Sequence, residues 1–325
     1  MKIRLLNQNA IRQTLAMGPA IELMQDAFTA LSNGTVQTPL RTNIRNAQGT
    51  MLYKPALMPS TKIFGMKAVS VFPGNVDHHL PVTTGLMLIN DSETGLPVAL
   101  MDAQYLTALR TGAASGLATR LLANPATTVA ALFGTGGQAE SQLHSMLETL
   151  PLETVHVFSR QSGNAEVFCR NQQAMTDTCR LVPAASQQIL RECGLITTVT
   201  SSQRPVFADE DIMAGVHING VGSFTPDAAE VPVETVCRAT VFVDQREAAL
   251  REAGDIVRPI QSGRLSQDFA PAEMGEVLTG LHPGRTSEKQ VTFFKSVGNA
   301  AQDIVCAAEI LAIADKKQLG QIIDI

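Results

Sequence analysis

The chain has 325 residues, of which 45% are hydrophobic and 17% charged, with a formal net charge of −5 at pH 7. Single cores stop growing near about 250–300 residues, so two domains are expected, and the apolar content excludes a disordered chain. The acidic balance and the sparse aromatics (Phe 12, Tyr 2, Trp 0) speak against nucleic acid as a partner.

In chain order, the N-terminal Met1-Lys2-Ile3-Arg4-Leu5-Leu6-Asn7 lacks the apolar stretch and cleavage site of a signal peptide. No apolar run approaches the roughly 18–20 residues of a membrane span, so no membrane partner is expected. The first 35 residues read as helical, with Ile21, Met24, Phe28 and Leu31 at helical spacing after Gly18-Pro19. From about Pro39 to Met101 short runs separated by turns predict strands. They include Ile63–Val71 and a hairpin in which Asp91-Ser92-Glu93-Thr94-Gly95 joins Leu86–Ile89 to Val98–Met101. Leu106, Leu109, Ala113, Leu117 and Leu121 predict a helix from about Ala103 to Ala123, carrying the small-residue run Gly112-Ala113-Ala114-Ser115-Gly116.

Beyond Pro125, strand-like runs at Val129–Phe133, Val155–Ser159, Leu195–Thr200, Val216–Val221 and Ala239–Val243 alternate with helical stretches. That order predicts a parallel sheet covered on both faces. A further strand at Val291–Phe294 leads into a helix from about Asn299 to Ala314. The expected fold is α/β: a Rossmann-type doubly wound parallel sheet at 121–299, beside a second α/β domain formed by 1–120 and about 300–325. The five cysteines, Cys169, Cys179, Cys193, Cys237 and Cys306, are odd in number and show no C-x-x-C spacing. They read as reduced thiols of a cytoplasmic protein, and neither disulfides nor a metal site is expected.

Val129–Phe133 runs directly into Gly134-Thr135-Gly136-Gly137-Gln138-Ala139 and then a helical stretch. This is G-x-G-x-x-A in the strand–turn–helix context that dinucleotide binding requires. Gly134 permits the turn, Gly136 lets backbone approach a pyrophosphate, and Ala139 lets the helix pack on the strand. The second strand ends Ser159-Arg160-Gln161, with no carboxylate before Glu166 to bind a ribose 2′-hydroxyl. A cation and a hydroxyl there favour a 2′-phosphate, hence NADPH over NADH, an arginine solvated at a strand end being the alternative; Gln161 and Asn164 are counted with this end of the cofactor site.

With period 2, Lys67 shares a strand face with Ile63, Val69 and Val71, where an ammonium is costly unless paired or functional; a lysine snorkelling at a sheet edge is the alternative. Arg110 lies mid-helix, and Arg41 opens a polar alternation with Asn43 and Arg45. Each arginine alone reads as a surface charge. Together, Arg41, Lys67 and Arg110 would form a cationic pocket suited to a small carboxylate. His78-His79 are adjacent and point apart, which makes them poor joint metal ligands.

In this order, Thr38-Pro39-Leu40-Arg41, Gly65-Met66-Lys67, Phe72-Pro73-Gly74-Asn75, Leu106-Thr107-Ala108-Leu109-Arg110-Thr111-Gly112-Ala113, the glycine loop, Ile218-Asn219-Gly220-Val221-Gly222 and Phe294-Lys295-Ser296-Val297-Gly298 carry a resemblance. The chain resembles the ornithine cyclodeaminase/mu-crystallin family nearly end to end. The resemblance implies a Rossmann domain beside a dimerising α/β domain, hence a homodimer. It implies that Arg41, Lys67 and Arg110 hold the substrate carboxylate and imino nitrogen. It also implies that Thr83, Arg110, Thr111, Val199, Thr200, Val221, Ser296 and Val297 contact the cofactor or frame the nicotinamide.

Family membership does not set the reaction. Cyclodeaminases carry an Asp two residues before the Pro of G-x-D-x-P-G-K, whereas this chain has Phe224 in Gly222-Ser223-Phe224-Thr225-Pro226-Asp227. The T-P-D pattern is similar to that of ketimine and pyrroline-2-carboxylate reductases. Asp227 is either a replacement catalytic carboxylate or a turn residue. The expected activity is NADPH-dependent reduction of a small cyclic imino acid: Δ1-pyrroline-2-carboxylate to L-proline, or Δ1-piperideine-2-carboxylate to L-pipecolate. Ornithine cyclodeamination, an alanine or opine-type amino-acid dehydrogenase, and a non-catalytic NADPH- and carboxylate-binding protein are the alternatives.

Overall fold

The computed structural model describes residues 1–324. Its elements are β1 (Lys2–Leu6), α1 (Gln8–Arg12), α2 (Met17–Ser32), β2 (Thr42–Arg45), β3 (Thr50–Met58), β4 (Ile63–Val71), β5 (Thr83–Asp91), β6 (Pro97–Asp102) and α3 (Ala103–Leu122). There follow β7 (Val129–Phe133), α4 (Ala139–Thr149), β8 (Thr154–Phe158), α5 (Ser162–Gln172), β9 (Arg180–Pro183), β10 (Leu195–Thr198), β11 (His217–Gly220), α6 (Val233–Arg238) and β12 (Thr240–Val243). The chain ends with α7 (Arg246–Glu252), α8 (Gly254–Gln261), β13 (Ala272–Glu273), α9 (Met274–Leu278), β14 (Thr292–Lys295), α10 (Ala300–Lys317) and β15 (Gln321–Asp324). Two compact units result: Met1–Arg110 with the segment from Asn299 onward, and Thr111–Gly298. The division falls after Arg110, inside α3, rather than near residue 120. An unbroken helix offers no compositional shift at its own midpoint.

The first unit is a seven-stranded mixed sheet in the order β15-β1-β6-β5-β4-β3-β2. The expectation of helix across the first 35 residues fails at Lys2–Leu6. That segment is a strand, parallel to β6 and antiparallel to β15. Its partners lie about 95 and 320 residues away in sequence, and this long-range pairing overrides local preference. α2 begins at Met17 and buries Met17, Ala20, Ile21, Met24, Ala27 and Phe28, the i, i+3, i+4 stripe of a core-facing helix. α10 packs on α2, β3 and β4. Gly65 allows that approach: a Cβ there would meet Met87 and lie 3.4 Å from Ile304 of α10. β4 alternates as read from the sequence, with Ile63, Lys67 and Val69 buried and Phe64 and Met66 exposed.

The second unit is an eight-stranded parallel sheet in the order β13-β12-β14-β11-β10-β7-β8-β9. Its central strands β10, β11 and β14 are buried along their whole length, as in sheets covered on both faces. β9-β8-β7-β10-β11 reproduces the 3-2-1-4-5 order of a doubly wound fold. The topological switch lies between β7 and β10, and ligands of such sheets sit outside the carboxyl ends of the strands there.

Candidate active site

In the first unit, three elements converge on one carboxylate. Lys67 comes from the inner face of β4, Thr107 and Arg110 from successive turns of one α3 face, and Gln302 and Asp303 from the first turn of α10. Lys67 Nζ lies 2.5 Å from Asp303 Oδ1 and donates to Thr107 Oγ1 at 3.0 Å. Arg110 Nε is 2.9 Å from the same Asp303 oxygen as an ion pair, off the line a hydrogen bond needs. Arg110 Nη1 donates to Gln302 Oε1 at 2.7 Å. Lys67, Arg110, Gln302 and Asp303 are all buried. Asn299 accepts from Ala301 and Gln302 through Oδ1, capping α10, while its buried Nδ2 and Asp303 Oδ2 have no hydrogen-bond partner among the described residues. A donor and an acceptor are thus presented at the start of α10.

Sequence reasoning missed Lys54, which sits on β3 directly across from Lys67 in the antiparallel register and is also buried. Two like charges opposite one another are destabilising. Burial pushes Lys54 well below the ordinary lysine range; Lys67, Arg110 and Arg41 push the same way, and Asp303 opposes them. Lys67 is lowered to about 8, first by burial and then by Arg110 and Arg41, with Asp303 holding it up. Burial works against ionising Asp303, yet Lys67, Arg110 and Lys54 outweigh it and keep the carboxyl below its usual range. Arg41, half-buried just before β2, acts on both lysines through its charge. At neutral pH Lys67 is mostly an ammonium that gives up its proton more readily than an exposed lysine.

In the second unit the expected cofactor residues gather at the carboxyl ends of neighbouring parallel strands. Backbone hydrogen bonds tie these ends together, one strand to the next. Gly134 N donates to Phe158 O at 2.9 Å, Val199 N to Phe133 O at 2.8 Å, Val221 N to Thr198 O at 2.9 Å, and Ser296 N to Gly220 O at 3.1 Å. Gly134 has φ +111°, and a Cβ on it would lie 2.5 Å from Val199 O, so only glycine makes this turn. A nicotinamide dinucleotide fits the edge: a Cβ at Gly136 or Gly137 would meet nothing within 4 Å, leaving backbone there open to a pyrophosphate. Gln138 occupies the N-cap position of the eleven-residue α4 directly behind without a capping bond from its side chain, and Ala139 is fully buried in the helix–strand contact. Thr135 Oγ1 and Ser159 Oγ are 3.3 Å apart, and Arg160 and Gln161 are exposed past the end of β8, with Asn164 Nδ2 3.5 Å from Gln161 Oε1.

The remaining predicted residues lie elsewhere. Thr83 opens β5 opposite Val71, and Thr111 is buried in α3 immediately after Arg110. Asp227 is exposed in a turn whose Pro226 and Asp227 carbonyls accept from Arg258, and Phe224 is partly exposed. His78 and His79 are exposed on a 3₁₀ turn after β4.

The first unit thus carries a cationic cluster around one carboxylate, and the second a glycine cradle at the strand ends of a doubly wound sheet. The profile of the ornithine cyclodeaminase/mu-crystallin family matches residues 1–318. The chain belongs to that family. It is 33% identical over 322 residues to the Δ1-pyrroline-2-carboxylate reductase of Bacillus cereus, covering 98% of this chain and 99% of the relative. Among solved structures it is similar to the Thermococcus litoralis Δ1-pyrroline-2-carboxylate reductase in complex with NADH and L-proline. That similarity has a TM-score of 0.93 and 33% identity, over 98% and 99% of the two chains. An archaeal alanine dehydrogenase dimer with bound NAD has a TM-score of 0.93 and 31% identity, over 100% and 99%. Like these relatives, this family member is an NAD(P)H-dependent oxidoreductase acting on a C=N group.

Proposed function

We propose that the protein reduces Δ1-pyrroline-2-carboxylate to L-proline, and Δ1-piperideine-2-carboxylate to L-pipecolate in the same site, using NADPH in preference to NADH. The observation that carries this reading is the buried Lys67–Asp303–Arg110 cluster, an acid of pKa about 8 beside guanidinium groups. A cyclic imino acid needs a cationic hold on its carboxylate and one proton for its nitrogen.

When bound, the nicotinamide supplies a hydride to the imine carbon. Arg110 and Arg41 hold the substrate carboxylate, the guanidinium fork matching two oxygens. Lys67 gives its proton to the imine nitrogen as the π pair moves onto that atom, so one C–H and one N–H bond form. Its lowered pKa makes the donation easier, and Asp303 keeps the ammonium oriented and charged until then. Gly134, Thr135, Gly136, Gly137, Gln138 and Ala139 would hold the pyrophosphate, and Ser159 and Arg160 the 2′-phosphate. The two solved relatives hold NADH and NAD. The phosphate preference therefore rests on Ser159 and Arg160 of this chain alone.

A homodimer in the cytoplasm completes the reading. Ile44, Phe64, Met66 and Leu86 share the outward face of the first unit's sheet and are exposed there. A second copy is the occupant we assign to that apolar face, as the dimeric alanine dehydrogenase relative supports.

The test is NADPH oxidation with five- and six-membered cyclic imino acids, and with pyruvate plus ammonia. Fast turnover of the cyclic imines supports the proposal. Turnover of pyruvate and ammonia alone would replace it with an alanine-type dehydrogenase, which the similarity to the archaeal enzyme favours as second reading. Tight NADPH binding with no turnover at all would point to a binding protein.

A further inference from the structure

The loops that would frame the nicotinamide are held from behind by buried carboxylates, and this feature of the second unit was not legible in the sequence. Glu230 is fully buried. Its Oε1 accepts from Thr200 N at 2.6 Å and Thr200 Oγ1 at 2.8 Å; its Oε2 accepts from Gly222 N at 2.7 Å and Ser223 N at 3.0 Å. One side chain thereby joins the loop after β10 to the loop after β11. The two loops approach so closely that a Cβ on Gly222 would run into the Thr200 backbone and Glu230 itself.

Glu230 is anchored in turn. Asp255, at the start of α8, accepts from Glu230 N at 2.7 Å, Val231 N at 2.9 Å and the Ser223 hydroxyl, and pairs with Lys295 Nζ at 2.9 Å. Lys295 is the last residue of β14, so the chain of contacts spans the ends of three adjacent strands. Asp244, just after β12, closes the next loop by accepting from Ser296 Oγ at 3.0 Å, Val297 N at 3.1 Å and Gly298 N at 2.6 Å. Thr200, Val221, Ser296 and Val297 are the residues that the family resemblance puts against the cofactor; they lie on the segments these acids fasten, or immediately beside them.

We infer that Glu230 is a positioning residue for the nicotinamide end of the cofactor: it sets the spacing of the loops after β10 and β11 without touching the dinucleotide. All four of its partners are donors, so only a carboxylate satisfies them. A carboxamide turns an N–H group toward at least one N–H or hydroxyl and leaves it unpaired in the interior. The glycine loop and the Ser159–Arg160 end, which would take the pyrophosphate and adenosine side, make no hydrogen bond to Glu230 in this network. Its direct hydrogen bonds therefore all fall on the loops after β10 and β11.

This inference rests on the proposed dinucleotide site, and the experiment separates the two. Binding of NADPH, NADH and the fragment ADP-ribose, which ends before the nicotinamide, is measured for the natural protein, Glu230→Gln and Glu230→Asp. The natural protein binds all three; failure there would overturn the dinucleotide reading itself. Glu230→Gln should keep ADP-ribose affinity within about twofold and lose about tenfold, about 1.4 kcal/mol, for the full dinucleotides. Its kcat should fall by up to about 100-fold, the scale for a displacement near 1 Å. Glu230→Asp, which keeps the carboxylate and shortens the side chain by one methylene, should show the same split with a smaller loss. It carries the test if Glu230→Gln does not fold. Equal losses for fragment and full cofactor would reduce Glu230 to general support of the fold, and unchanged dinucleotide binding and kcat would remove the role altogether.

Discussion

Lys67 and Asp303 are 236 residues apart in sequence, and their charged atoms lie 2.5 Å apart with both side chains buried. An ammonium on the inner face of a strand is tolerable because α10 delivers a carboxylate to it. Breaking such a buried pair from one side costs about 3–5 kcal/mol.

Lys67→Met keeps the length and apolar fit of the side chain and removes the proton donor. Cofactor binding should survive, while imine reduction falls by about 10²–10⁴. Steady-state kinetics with a fluorescence titration of NADPH checks both. A variant retaining more than a tenth of the rate would make Lys67 a structural cation.

The pH profile follows from the protonation of Lys67. The proposed donor is the ammonium, so reduction should decline as pH rises through about 8. Asp303 raises the Lys67 pKa, so Asp303→Asn removes that support and should move the falling limb to lower pH. A limb that stays in place in Asp303→Asn would mean another group supplies the proton. Thermal denaturation of the same variant should show the loss of the buried pair.

The proposed cofactor choice rests on Ser159 and Arg160. NADPH should bind at least about tenfold more tightly than NADH, and Arg160→Asp should reverse the order. With Trp absent from the sequence, reduced-cofactor fluorescence can be titrated against little protein background. Equal affinities would end the NADPH assignment.

L-Ornithine should release no ammonia with NAD or NADP, because Phe224 cannot accept a proton from an amino group. Proline formed from ornithine by the unmodified protein would overturn this and give the carboxylate role to Asp227. Asp227→Asn would then abolish the activity.

The outer face of the first unit's sheet predicts a dimer whose stability depends on apolar contact. Met66→Asp puts a charge there and should shift the mass in solution from dimer to monomer, read by light scattering. A dimer of unchanged stability would place the interface elsewhere.

What could be read from sequence was what is contiguous in sequence. The glycine loop carries its strand, turn and helix within about twenty residues, so strand β7, the cradle and the doubly wound order were all visible from pattern. Lys67 stood out because period 2 put a charge on an apolar face. Asp303 did not, since an acid in the first turn of a helix is a common surface feature that favours the helix dipole. Lys54 was hidden because the β3–β4 register, not its own segment, sets it against Lys67.

The sequence by itself determined the family, the dinucleotide cradle and the candidate cations Arg41, Lys67 and Arg110. Each is a local pattern of residue types whose physical consequence is felt within one strand, turn or helix. Only the tertiary structure decided that β1 is a strand rather than helix, that Asp303 pairs with both Lys67 and Arg110, and that Glu230, Asp255 and Asp244 fasten the loops at the strand ends. Those relations depend on charges and donors brought together from distant parts of the chain, where burial makes each partner's absence costly and no local periodicity records who the partner is.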